Sequence, residues 1–201
     1  MTYRLEKQTI ADQEIVLTNE QQNFLGPELT FENCRLIFRC AHTSLIITRT
    51  KFINCRIEIR RKLVNFQSLR AWLQGCTFRG TLRSNDFGHW PPTFADMAGI
   101  RDCDFSEATL DLCRFVDCPI ETITLPRWPC FTILHPYQNL SRFESVKSPV
   151  DLSFLSHPYT PPRENFAAYT YYAPSFLKDR KIAGTEEDLK ATLEPLDFVL
   201  L

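Results

Sequence analysis

An all-β solenoid of short stacked coils is the fold this sequence predicts, and three observations carry it. The first is a five-residue period over 103–127. Cys103, Ala108, Cys113 and Cys118 stand five apart, and two places after each comes a large apolar residue: Phe105, Leu110, Phe115 and Ile120. Neither the 3.6-residue period of a helix nor the alternation of a strand produces that spacing. The second is a 21-residue repeat in which LTFENCRLIFR (29–39) lies over TKFINCRIEIR (50–60). It matches Phe31 with Phe52, Asn33 with Asn54, Cys34 with Cys55, Arg35 with Arg56, Leu36 with Ile57 and Arg39 with Arg60. The third is scarce punctuation: six glycines in 201 residues are few for a sandwich of short strands, the competing all-β fold.

A chain that points two side chains of every five inward and then bends would bury the small and large apolar positions and leave the rest in water. Repetition stacks such coils at the usual strand spacing of about 4.8 Å. These units resemble the pentapeptide-repeat proteins, whose pattern has Ala, Ser or Cys two before a central Leu or Phe. The likeness is specific over 103–127 and partial over 29–83, less than half of the chain. It implies a right-handed quadrilateral β-helix, four units to a coil, and the 21-residue repeat is about one such coil. The pattern is degenerate at 40–50 and 61–75, so the helix is expected to be irregular. Phe31, Phe52, Phe78 and Phe105 form the expected stacked column, and their spacings of 21, 26 and 27 call for insertions in the later coils.

In chain order, residues 1–27, with Ile10, Ile15, Val16, Leu17 and Phe24, read as an N-terminal cap over the open end of the solenoid. The solenoid occupies 28–127 with two insertions. Near 62–75, Phe66, Leu69, Trp72 and Leu73 fall at helical spacing and predict a short helix. At 88–99, paired prolines and flanking glycines mark a loop. Beyond 127 the repeat stops. Ten of thirteen prolines lie from 119 onward, so 128–201 reads as an irregular Pro- and aromatic-rich wrap with a capping helix near its end. That helix has Thr185 as N-cap, Glu186, Glu187 and Asp188 in its first turn, Leu189 and Leu193 on one face, and Pro195 beyond.

The bulk numbers fit one soluble domain with appendages: 23.4 kDa and 44% hydrophobic residues. The opening MTYRLEKQTIADQEIVL lacks the layout of a secretory signal, and no apolar run reaches the ~18 residues of a membrane span. The expected location is the cytoplasm. Eight cysteines at interior-looking repeat positions then read as reduced core thiols. No Cys-x-x-Cys occurs, so neither a metal nor any other cofactor is expected.

No phosphate-cradling Gly-rich loop, Gly-x-Ser-x-Gly elbow or His-Glu-x-x-His helix is present. Cys130 and His135 can be drawn as a nucleophile and base, but Cys130 lies between Pro129 and Phe131, where burial is the simpler reading. The chain is therefore expected not to be an enzyme.

Charge is uneven behind the net −1. Residues 28–83 hold 11 Lys and Arg against 3 Asp and Glu; residues 84–127 hold 3 against 8. Adjacent coils would set Arg35 beside Arg56 and Arg39 beside Arg60, a repulsive arrangement without an anion. With Arg61 and Lys62 they form the candidate binding patch, and Trp72 and Trp90 are candidate anchors from the insertions. No stacking platform or recognised motif accompanies these charges, which argues against nucleic acid.

The resemblance implies a protein partner. Its most concrete form is an immunity protein that occludes a bacterial toxin, acting as a monomer or, since some relatives pair through C-terminal regions, a homodimer. Two alternatives are a topoisomerase-binding DNA mimic, as some relatives are, and nucleic-acid binding through the basic end. Mimicry needs a continuous acidic face, whereas Asp104, Glu107, Asp111, Asp117 and Glu121 would spread around the coil.

Overall fold

Inward-facing side chains alternating with sharp corners wind the chain into a β-solenoid of about four turns. The structure, a computed structural model, describes residues 2–66, 70–89, 98–157 and 162–201. The first coil is β1 (Thr2–Leu5), β2 (Gln8–Ala11) and β3 (Glu14–Leu17); the second is β4 (Gln22–Leu25), β5 (Leu29–Glu32) and β6 (Arg35–Phe38). Then come β7 (Leu45–Ile47), β8 (Thr50–Ile53) and β9 (Arg56–Val64), followed by β10 (Ala71–Gln74), β11 (Thr77–Arg83) and β12 (Asp86–Gly88). Last are β13 (Gly99–Arg101), β14 (Asp104–Asp111) and β15 (Cys113–Val116). Parallel pairing stacks them as β1-β4-β7, β2-β5-β8-β10-β13 and β3-β6-β9-β11-β14.

The corners explain the polar part of the repeat. Asp12, Asn33, Asn54, Gly75 and Asp102 all have φ between 52° and 63°, and Asn, Asp and Gly are the residues that accept this left-handed conformation most readily. Immediately after each of the last four comes a buried thiol: Cys34, Cys55, Cys76 and Cys103. The Cys55 and Cys76 thiols donate to the carbonyls of Phe31 and Phe52 on the preceding coil, each at 3.4 Å. All eight cysteines are reduced. In the later coils one long strand makes two sides. The register between β9 and β11 shifts between Gly80 and Leu82, and a Cβ on Gly80 would stand 2.1 Å from the Ile59 carbonyl oxygen.

The five-residue register of 103–127 is present: Phe105, Leu110 and Phe115 are fully buried, and Ile120 and Leu125 pack on the same core. The single Phe column is not. Phe31 and Phe52 stack at 5.3 Å in the column Ile10–Phe31–Phe52–Leu73–Ile100. Phe78 and Phe105 stack at 4.2 Å one side further round, where Phe78 follows Ile15–Leu36–Ile57. The spacing of 26 is one coil of 21 plus one side of five, not an insertion. From Phe78 to Phe105 the spacing is 27, six more than a coil of 21, and most of the loop expected at 88–99 lies outside the described residues.

Two other expectations are corrected. Residues 2–25 are no separate cap, because β1, β2 and β3 pair strand for strand with β4, β5 and β6. The described parts of 62–75 are strand where a helix was expected: the start completes β9 and the end is β10, with Leu73 facing inward, while Leu69 lies outside the described residues. Stacking on neighbouring coils overrides the helical spacing.

The described residues of 128–201 are more regular than a wrap. β16 (Cys130–Leu134), β17 (Phe166–Tyr172) and β18 (Val199–Leu200) join β12 and β15 in a sheet of order β12-β15-β17-β16-β18, antiparallel from β15 onward. Helices α1 (Pro136–Asn139), α2 (Ser153–Ser156), α3 (Ala173–Arg180) and α4 (Glu186–Leu193) belong to this layer. Its own core contains Phe131, Tyr171, Phe176, Leu189, Leu193 and Phe198. α4 starts at Thr185 as the sequence predicts. The Asp188 N–H donates to Thr185 Oγ1 at 3.1 Å, and the Thr185 N–H donates to Asp188 Oδ2 at 3.0 Å. Thr185→Ala is expected to lower stability by about 1 kcal/mol. An unchanged urea midpoint would show that α4 is held by Leu189 and Leu193 alone. No helix among the described residues is long and apolar enough to cross a membrane.

Candidate partner-binding face

The outer face of the sheet β3-β6-β9-β11-β14 carries the arginines singled out by the repeat. In-register stacking sets Arg35 beside Arg56, with Glu14 on the strand below. Their repulsion is resolved by an anion that the repeat itself hides, Glu58, which is only 2% exposed. Arg35 Nε donates to Glu58 Oε1 at 2.8 Å, Arg56 Nε lies 3.1 Å from the same oxygen, and Arg60 Nη2 donates to Oε2. On its other side Arg35 pairs with Glu14 at 2.6 Å. The Arg35 hydrogen bond, helped by that of Arg60 and opposed by burial, holds the Glu58 carboxyl down at about 2.

Glu58 was legible only as a departure. The 21-residue offset lays it over Ile37, at an outward position between inward-facing Ile57 and Ile59. The arginine side chains bury it from outside. A small depression of about 130 Å³ lies beside it, bounded by Ile59, Arg60, Arg79 and Gly80.

The candidate residues therefore divide. Arg35 and Arg56 are engaged by carboxylates. Arg39 follows Phe38, which pairs with Ile59, so it stands at the same corner as Arg60, Arg61 and Lys62. Arg39, Arg61 and Lys62 are exposed, and among the described residues none has a carboxylate within 4.0 Å. Trp72 does not join them. It lies on the neighbouring face, on β10, half-buried with its ring against Gly99 and the Arg101 guanidinium 5.9 Å from its centroid. Trp90 lies outside the described residues.

Part of the acidic surplus of 84–127 is engaged by basic side chains of the same chain. Asp86 is buried and takes a bidentate pair from Arg114 at 2.6 and 2.7 Å. Asp111, also buried, faces Arg83 at 3.4 Å; Glu107 pairs with Arg79, and Asp117 with His89 at 3.3 Å. Among the described residues no group of three or more His, Cys, Asp or Glu side chains is arranged to hold a metal ion. Cys130 is buried, and burial raises its thiol pKa. Comparison with family models, curated proteins and solved structures finds no match.

Proposed function

We propose that this chain is a non-catalytic binding module, a degenerate relative of the pentapeptide-repeat proteins, that docks an acidic protein surface on the corner formed by Arg39, Arg60, Arg61 and Lys62. The supporting observation is the contrast along one face: Arg35 and Arg56 are neutralised by Glu14 and Glu58, whereas Arg39, Arg61 and Lys62 stand exposed without a carboxylate among the described residues. Like charges gathered on a rigid corner repel until an anion is supplied, and they steer a partner of opposite sign. In its specific form, the partner is a bacterial toxin and the protein is a cytoplasmic immunity protein that covers it. The dispersed and internally paired acidic residues favour this reading over DNA mimicry.

The test is a triple charge reversal, Arg39→Glu, Arg61→Glu and Lys62→Glu, all at exposed positions, compared with the parent in pull-downs from native cells. The expected result is one stoichiometric protein partner, toxic when expressed alone and rescued by the parent, with capture weakened at least tenfold in the variant. Equal capture by both chains overturns the proposed face. Recovery of nucleic acid with a steep salt dependence overturns the protein-partner reading.

A further inference from the structure

Away from that corner, the C-terminal layer holds a second concavity, a cleft of about 520 Å³ between α2 and the C-terminal end of α3. Ser153, Phe154, His157, Arg180, Lys181 and Ile182 line it, and Asp151 and Asp179 complete the wall. Its volume suits a small ligand. The mixture of aromatic ring, aliphatic side chain and cationic donors suits one with a charged group.

Arg180 is the residue without an internal explanation. Its guanidinium lies 3.6 Å from the centroid of Phe154, 4.9 Å from that of Phe176 and 5.9 Å from that of Tyr171. Its Nε is buried without a hydrogen-bond partner. Among the described residues no carboxylate lies within ion-pair distance of it, unlike Arg35, Arg83 and Arg114 elsewhere in the molecule. Burial lowers its pKa, opposed by charges that include those of Asp111 and Asp179, both beyond ion-pair distance. Rings hold a guanidinium in place but do not accept its in-plane N–H groups.

Of the two acidic residues of the wall, one is paired with an arginine outside the cleft and the other keeps its charge. Asp179 is drawn off by Arg83 of β11, and the Asp151 carboxylate accepts the Ser153 N–H at 2.8 Å. The carbonyl end of α3 is closed as well: the Lys181 N–H donates to Lys178 O at 3.2 Å and the Ile182 N–H to Leu177 O at 3.0 Å. Lys181 is exposed beside Arg180, and Ser153 and His157 add further polar groups.

We infer that this cleft binds an oxyanion, a carboxylate or phosphate group, with Arg180 as its principal partner, Lys181 as a second cation, and Phe154 and Ile182 against the apolar part of the ligand. A planar fork of N–H donors fits either anion in a two-point contact. The inference stands independently of the partner-binding corner.

The experiment titrates the full chain with inorganic phosphate and, separately, with glutarate, each against sodium chloride at equal ionic strength, by calorimetry and by the shift in melting temperature. Saturable one-site binding of at least one anion is expected, weakened tenfold or more by Arg180→Gln, about threefold by Lys181→Ala and unchanged by Lys7→Gln at an exposed position of the first coil. Saturation by phosphate alone assigns a phosphate ligand, and by glutarate alone a carboxylate. If Arg180→Gln does not fold, Lys181→Ala, at an exposed position, decides. No saturable binding of either anion, or binding that neither Arg180→Gln nor Lys181→Ala weakens, overturns the inference.

Discussion

Replacing Phe105 with Asp is expected to abolish the cooperative fold. Phe105 is the central residue of its five-residue unit and is fully buried. It stacks on Phe78 at 4.2 Å and meets the edges or faces of Phe87 and Phe115 at 5.1 and 5.5 Å. Truncating such a ring costs about 3–5 kcal/mol, and an unpaired inward carboxylate adds several more. A domain of this size has a total stability of about 5–15 kcal/mol. The check is circular dichroism with thermal melting, alongside Phe105→Leu, which keeps the apolar volume and should remain folded with a loss of about 1–2 kcal/mol. A Phe105→Asp chain that melts like the parent would show that the five-residue register does not hold the coils together.

What was legible in the sequence follows from how strictly each position is constrained. The unit of five was readable in 103–127 because Cys103, Cys113 and Ala108 sit where only small side chains fit between stacked coils, and Phe105, Leu110 and Phe115 fill the centre. Corner residues were readable as matched asparagines, Asn33 and Asn54, because a left-handed φ narrows the choice of residue. The central column tolerates any large apolar side chain, so Ile10, Phe31, Phe52, Leu73 and Ile100 share one column without sharing an identity. Following phenylalanines therefore led from one side of the coil to the next. For the same reason the first coil, with Ile10, Ile15 and Leu17 but no Cys or Phe in its strands, looked like a cap.

The polar interior was hidden because its partners come from other coils. Asn23, fully buried, donates to Thr18 O and Ser44 O at 2.8 and 2.9 Å, and Asn85 donates to Leu63 O at 2.9 Å while accepting the Phe66 N–H at 3.0 Å. Each satisfies backbone groups at irregular sides, where the ladder is interrupted. No local motif announces such a role. In the C-terminal layer the prolines obscured FAAYTYY (166–172), whose strand character is realised only by pairing with β15 and β16. Of the candidate site, the Arg35–Arg56 stacking was legible from the repeat, and so was its need for an anion. The identity of that anion was not.

Glu58→Gln is expected to destabilise the protein by on the order of 2 kcal/mol at pH 7, because it leaves Arg35, Arg56 and Arg60 gathered around a neutral group. The full shift of the carboxyl to about 2 corresponds to a somewhat larger figure at about 1.4 kcal/mol per unit. The half-exposed arginines are partly screened by water, which reduces it. The sign of the pH dependence follows from linkage. A carboxyl whose folded pKa is depressed stabilises the fold above its unfolded value, and that contribution disappears as pH falls through the folded one. The difference between parent and Glu58→Gln should therefore be constant from pH 7 to about 4.5, shrink below that, and be nearly gone at about 2, where Glu58 takes up its proton. Urea midpoints at pH 7, 4 and 2 measure it. Added salt should also narrow the gap at pH 7, since the variant's arginines repel through water and the parent's carboxylate is buried among them. A gap that persists unchanged to pH 2 would assign the loss to packing around the side chain, and Glu58 would then not be the charge that allows the repeat to stack arginine on arginine.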